Sequence, residues 1–287
     1  MPLLALIAVT AVWGVTFVQV KDAVDVYPLF AFLAIRYAIA TGVLAVAGGR
    51  RVLTLGRPGL AAGAVLGALL GLGIGLQTAG LERTTVSSTG FITGLYVVLT
   101  PLFGLALFRT RVGLEVWAGV VLAIVGLAML SGVELGSPGG DLLVLASAAA
   151  QALQILMVER FATRHDAIAL TLVQMAACLA GFLVIALALG QLSVPHGWTV
   201  WGALIVTGVF ASALAYLIQV WAQRRMSAAR IAIVFSLETV FAGLFGYWLA
   251  GDRLGWLGWG GCAVILGGIA VAEPTAARFL RSLLPSD

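Results

Sequence analysis

The chain has 287 residues, 62% of them hydrophobic and only 10% charged, with a mean hydropathy of +1.11. Soluble domains carry about 25% charged residues, so this composition excludes an ordinary soluble domain and indicates a membrane protein. The net charge of +4 comes from arginines gathered between apolar runs, a pattern suited to anionic lipid headgroups rather than to nucleic acid.

A hydrocarbon core about 30 Å thick needs roughly 20 apolar residues per spanning helix. Ten such segments are predicted: 2–20, 28–47, 59–80, 86–108, 112–131, 140–158, 167–189, 199–222, 228–250 and 254–273. The expected fold class is an all-α membrane protein with ten transmembrane helices. The connections are too short to hold a soluble domain, and the runs lack the apolar–polar alternation of barrel strands.

Segment 1 has no basic stretch before its apolar run, which is also longer than a signal-peptide core, so it reads as a membrane helix. Thr10, Trp13 and Phe17 share one of its faces. Segment 2 contains Arg36, about 12 Å along the helix from Pro28 at 1.5 Å per residue. In segment 3, Gly63, Gly67, Gly71 and Gly75 recur every four residues and form a smooth ridge. Such a ridge lets helices approach closely, either as a fixed seam or as a sliding surface. GLGIG, just before Gln77, is no phosphate loop, because it lacks the preceding strand and the Lys-Ser/Thr ending.

Segment 4 carries Phe91 and Tyr96 and is interrupted by Pro101, where a kink is expected, as fixed shape or as moving hinge. Segment 6 has a polar stripe, Ser147, Gln151 and Gln154, at helical spacing, and segment 8 holds Tyr216 and Gln219. Segment 9 carries Glu238, about 12 Å from Arg230 along the helix. An ionisable residue at that depth is a functional candidate by default. It can anchor the structure, bind a substrate ammonium, or exchange a proton during a transport cycle. Arg36 is its potential partner if segments 2 and 9 are neighbours. Cys178 and Cys262 have no metal spacing and read as buried small hydrophobes; no metal or cofactor is expected. His165 and His196 fall in loops and are given no role.

Shifting the chain against itself by 142 positions matches Leu102-Phe103-Gly104 with Leu244-Phe245-Gly246. The same shift pairs Arg83 with Arg225, Arg111 with Arg253, Gly113 with Gly255 and Trp117 with Trp259, and also Gly119 with Gly261 and Gly126 with Gly268. Pro101 corresponds to Gly243, so both halves carry a helix-weakening residue there, and Tyr96 corresponds to Glu238. Two five-helix repeats are therefore expected, residues 1–131 and residues 132–287 with a short cytoplasmic tail. Five is odd, so the second half enters the membrane from the opposite side, as in many secondary transporters. Placing both termini in the cytoplasm puts twelve flanking arginines on that side against three basic residues outside, in line with the positive-inside rule. Trp198, Trp201, Trp248 and Trp256 then fall near the outer boundary. The localisation expected is an inner or plasma membrane.

TGFITGLYVVLTPLFG (89–104) with the RTRVGLEVWAG that follows, FSLETVFAGLFGYWLAGDRLGW (235–256) and AIRYAIATG in segment 2 are similar to EamA-type ten-helix carriers of the drug/metabolite transporter superfamily. Thr239 stands where the family pattern has proline, and Asp252 where it has glutamate. The resemblance implies a central cavity lined from both halves, with segments 5 and 10 peripheral. It implies substrates among amino acids, other metabolites and drugs.

The function expected is that of a secondary transporter exporting small metabolites, amino acids foremost, by alternating access. Trp13, Phe17, Gln77, Phe91, Tyr96, Gln151, Gln154, Tyr216 and Glu238 are the candidate substrate contacts, with Arg36 and Glu238 in structure or coupling. The partners are a small-molecule substrate, the lipid bilayer and, as a coupling ion, the proton. The alternatives are a channel, a lipid translocator and a multidrug exporter of the same fold. Membrane enzymes use metal-binding acidic clusters, His-Glu-x-x-His or paired aspartates, and the sequence has none of these.

Overall fold

The computed structural model describes residues 2–84, 86–131, 137–245 and 255–273, without the side chains of residues 17, 18, 86, 87 and 131. Every regular element among them is helical. In chain order the helices are α1 (Pro2–Val24), α2 (Leu29–Gly48), α3 (Gly56–Leu81), α4 (Val86–Gly94 continued by Tyr96–Phe108) and α5 (Leu114–Ser131). They are followed by α6 (Pro138–Ala162), α7 (Ala167–Ala188), α8 (Trp198–Ala222), α9 (Ala228–Phe235 continued by Leu237–Phe245) and α10 (Trp256–Ala272). A 3₁₀ stretch, Gly49–Thr54, joins α2 to α3. Seven helices, α2–α4 and α6–α9, are long and apolar enough to cross a bilayer. The apolar parts of α1, α5 and α10 are shorter, Pro2–Thr16, Leu114–Leu130 and Trp256–Ala272. The chain is an integral, multi-pass membrane protein.

Helix starts follow local chemistry. Asp166 caps α7 by accepting from the Ala169 N–H at 3.0 Å, and its other oxygen lies 3.3 Å from Arg51 Nη1. Pro138 opens α6, where its missing N–H costs nothing. Inside the helices, the hydroxyls of Thr41, Thr78, Thr100, Thr171 and Thr207 donate to the carbonyl four residues back. Each hydroxyl is thereby satisfied without water, which a hydrocarbon surrounding demands.

Helix contacts are set by small residues. A Cβ added at Gly63 would lie 2.6 Å from the Val173 side chain, and one at Gly67 2.5 Å from the Gln174 carbonyl oxygen. The ridge of α3 is thus the seat of α7. The α5–α10 seam is similarly close, with backbone facing backbone on both sides. Added Cβ atoms at Gly119 and Gly126 would sit 2.8 Å from the Gly268 oxygen and 2.7 Å from the Gly261 oxygen. Elsewhere α3 packs on α6 and α7, α8 on α1 and α2, α4 on α6, α9 on α1, and α2 on α7.

Three local departures lie outside the sequence expectations. Helix α4 loosens at Leu95, and α9 loosens at Ser236. In α8, Thr207–Leu214 winds as a π-helix. Wider winding of that kind disturbs the regular ladder and is frequent at functional sites. Trp198 and Trp256 are highly exposed at helix starts, as interfacial tryptophans are, whereas Trp248 lies outside the described residues.

Candidate functional site

The site is built around Trp13 on α1. Its indole Nε1–H donates to the Ala211 carbonyl oxygen at 2.9 Å. Its ring meets Phe235 of α9 edge-on at 4.9 Å between centroids and Tyr216 of α8 at 5.6 Å. One tryptophan therefore ties α1 to α8 and α9. The carbonyl it uses belongs to the π-helical stretch, whose altered winding makes a backbone acceptor available to a side chain.

The same stretch holds Arg36. Its Nε–H donates to Ser212 Oγ at 2.8 Å, and the residue is buried. Gly208, one turn earlier, lets α2 come close: a Cβ there would lie 3.0 Å from the Arg36 carbonyl oxygen. Burying a guanidinium is costly unless its donors are used. One of the five is taken by Ser212; among the described residues the other four have no hydrogen-bond partner. The Glu238 carboxylate likewise accepts no hydrogen bond from the described residues, and Arg36 and Glu238 lie beyond the 4.0 Å of an ion pair.

These two ionisable side chains line one cleft of about 70 Å³, together with Trp13, Gln77, Gln151 and Tyr216. A buried water needs roughly 10–15 Å³, so the cleft is narrow but has room for several waters. Beside it lies a recess of about 20 Å³, where Tyr96, Gln154 and Gln219 join Trp13, Gln151, Tyr216 and Glu238. Amides dominate this end. Gln219 Nε2 donates to Gln154 Oε1 at 3.1 Å and to Gln223 Oε1 at 3.0 Å, and Gln223 Nε2 donates to the Ile155 oxygen at 2.8 Å. Among the described residues, Gln154 Nε2 and Gln219 Oε1 are buried without a hydrogen-bond partner. Gln151 Nε2 donates to Ser147 Oγ, and Gln77 Nε2 to Thr93 Oγ1.

The structure thus gathers Trp13, Arg36, Gln77, Tyr96, Gln151, Gln154, Tyr216 and Glu238 around two adjoining cavities. Phe91 packs instead against the apolar cluster that includes Tyr96 and Leu127. The side chain of Phe17 lies outside the described residues. Pro101 is buried within Tyr96–Phe108, and Gly243 is half-buried within Leu237–Phe245. Sequence reasoning missed Ser212, Thr16 and Thr78, which hold or line the cleft. Ser212 sits in a stretch that carries no periodic signal, and its contact with Arg36 is made within the π-helical winding beside the close approach at Gly208.

A polar cleft lined by helices of a multi-pass membrane protein suits the passage of solutes. The chain belongs to the EamA-like transporter family, whose pattern matches residues 1–132 and again residues 138–272. It is 32% identical over 245 residues to an uncharacterized transporter of Archaeoglobus fulgidus, a match covering 84% of this chain and 76% of that protein. It is 26% identical over 290 residues to YedA, an uncharacterized inner membrane transporter of Escherichia coli K12, a match covering 98% of this chain and 92% of that protein. A solved crystal structure superposes with a TM-score of 0.78 at 21% identity, covering 97% of this chain and 98% of the other, which shows a shared fold. The protein is a transporter and not an enzyme.

Proposed function

We propose that the chain is a secondary transporter exporting small zwitterionic metabolites, amino acids foremost, by alternating access between two inverted five-helix halves. The observation that carries the substrate class is the cleft shared by Arg36 and Glu238, each without an ionic partner among the described residues. A carboxylate can be received by the free guanidinium donors while an ammonium faces Glu238. Trp13 and Tyr216 offer apolar faces to the substrate's side chain.

The two halves are residues 1–131 and 132–287, and α1–α10 are the ten spans. Three observations support the inversion. Helix starts recur at the offset of 142: Gly56 and Trp198, Val86 and Ala228, Leu114 and Trp256. The contacts exchange when each helix is replaced by its mate five places on: α3 with α6 becomes α8 with α1, and α4 with α6 becomes α9 with α1. Finally, Gly119 meets Gly268 while Gly126 meets Gly261, and Gly261 and Gly268 are the mates of Gly119 and Gly126. A reciprocal contact of this kind is what a two-fold axis produces. Its reversed order makes α5 and α10 antiparallel, as inversion in the membrane plane requires.

The termini are assigned to the cytoplasm and the membrane to the inner or plasma membrane, from the arginine distribution; a reporter fused to the C-terminus tests the side. The functional test is flux of a labelled amino-acid panel in liposomes, with and without a pH gradient. Saturable uptake stimulated by counter-substrate is expected. No flux of any amino acid would remove the substrate class, and a flux unresponsive to the gradient would remove the proton. Glu238→Gln should cut flux at least tenfold; unchanged flux would remove Glu238 from substrate recognition.

A further inference from the structure

A second cavity, of about 360 Å³, lies among the ends of α4, α6 and α9 and the start of α5. That is within the roughly 300–1,000 Å³ of small-molecule sites. Its charged lining is amphoteric: Arg111 and Arg230 with Glu115 and Glu159. Arg230 is loosely tied, 3.9 Å from Glu273. The cavity opens at the end of the bundle where Arg109, Arg160, Arg224 and Arg225 also lie, the side assigned above to the cytoplasm.

The cavity follows the central recess along the same three helices. Tyr96 lines the recess, and Thr100, one turn on, lines the second cavity while donating to the Tyr96 carbonyl oxygen at 2.7 Å. On α6 the order is Gln154, then Glu159; on α9 it is Phe235, then Arg230. The intervening turns carry Val97, Ile155 and Ile231, all buried and all in one apolar cluster. One layer of branched side chains therefore separates two polar cavities. Such a layer blocks an amphoteric solute because crossing it leaves the solute's charges unpaired in apolar surroundings.

We propose that the cavity bounded by Arg111, Glu159 and Arg230 is a second binding site, a cytoplasmic vestibule for the same zwitterionic class, closed from the central cleft by Val97, Ile155 and Ile231. The proposal rests on the transport function inferred above.

The test uses the full chain in sealed vesicles, with Cys178→Ala and Cys262→Ala as background and a membrane-impermeant methanethiosulfonate on one side at a time. Thr100→Cys should react at least tenfold faster from the cytoplasmic side than from the other. Gln154→Cys should react at least tenfold more slowly than Thr100→Cys from that side. Adding Ile231→Ala should raise its rate at least tenfold, and Ile231→Val, which keeps most of the packing, should raise it severalfold. Equal rates at positions 100 and 154, or a rate at 154 indifferent to both Ile231 variants, would overturn the closure. The amino-acid panel at millimolar concentration should slow labelling at position 100, and Arg111→Ala with Glu159→Ala should abolish that protection. No protection despite measured flux would overturn the second site. Protection without flux would leave the site standing and overturn the transport reading.

Discussion

Arg36 on α2 and Ser212 on α8 are joined by a 2.8 Å hydrogen bond from Nε to Oγ, in a layer where neither residue reaches water freely. The bond fixes one edge of the guanidinium and leaves the remaining donors for the cleft. Ser212→Ala removes the anchor. A hydrogen bond to a charged group contributes about 1.5–3 kcal/mol, so thermal stability in detergent should fall measurably. KM should rise several-fold, because the guanidinium is no longer held toward substrate. Ser212→Thr, which keeps the hydroxyl, should restore both, and Arg36→Lys, which has no Nε fork, should restore neither.

Trp13 joins three helices through two different interactions, and substitution separates them. Trp13→Phe keeps an aromatic ring beside Tyr216 and Phe235 but removes the bond to the Ala211 oxygen. The expected loss is about 1 kcal/mol, the net value of a neutral hydrogen bond. Trp13→Ala also removes the ring and should cost roughly 3–5 kcal/mol if the cavity does not collapse. Thermal melts and flux, measured together, check the order: Trp13→Phe transports and Trp13→Ala does not.

The helices were legible in the sequence because apolar length is a direct requirement of the bilayer, and predicted ends differ from observed ones by a few residues, apart from the end of segment 9 at 250, which lies outside the described residues. Arg36, Glu238 and the glutamines were legible for the related reason that polar groups stand out against apolar runs. What could not be read was pairing. Nothing in the spacing of Arg36 and Ser212 brings them together, since their contact depends on the close approach of α2 at Gly208 and on the π-helical turn of α8. The loosened points also escaped. Proline and glycine flagged positions 101 and 243, whereas regular bonding lapses at Leu95 and Ser236, where no side chain forbids a helix.

The α5–α10 seam offers a test of the repeat that needs no substrate. A Cβ at Gly261 would lie 2.6 Å from the Gly126 oxygen and 2.8 Å from the Leu130 nitrogen, so backbone would have to move. Gly261→Ala should cost about 1–3 kcal/mol, as overpacking does. Its mate Gly119 faces similar crowding, with the Ala272 Cβ at 2.7 Å and the Gly268 oxygen at 2.8 Å, and Gly119→Ala should shift the melting temperature by a similar amount. Gly267, on the same helix as Gly261, has nothing among the described residues within 4 Å of an added Cβ. Gly267→Ala should therefore be neutral or slightly stabilising, since alanine is the better helix former by about 0.8–1 kcal/mol. Unequal shifts for Gly119→Ala and Gly261→Ala would argue against a two-fold seam.

Pro101 lies six residues beyond the loosened point of α4 and lines the second cavity. It has no N–H to offer the Val97 carbonyl, so α4 lacks one rung between the central cleft and the helix end at Phe108. Its mate in α9, Gly243, keeps its N–H but has no side chain to stiffen the turn. If α4 bends there during transport, Pro101→Ala supplies a rung, raises the melting temperature and lowers turnover several-fold at unchanged KM. A proline that only sets a fixed shape would behave otherwise, because straightening the helix would displace Thr100 and Tyr96 and change KM as well. Turnover and KM measured in the same liposomes separate the two, and a fall in turnover alone identifies the hinge.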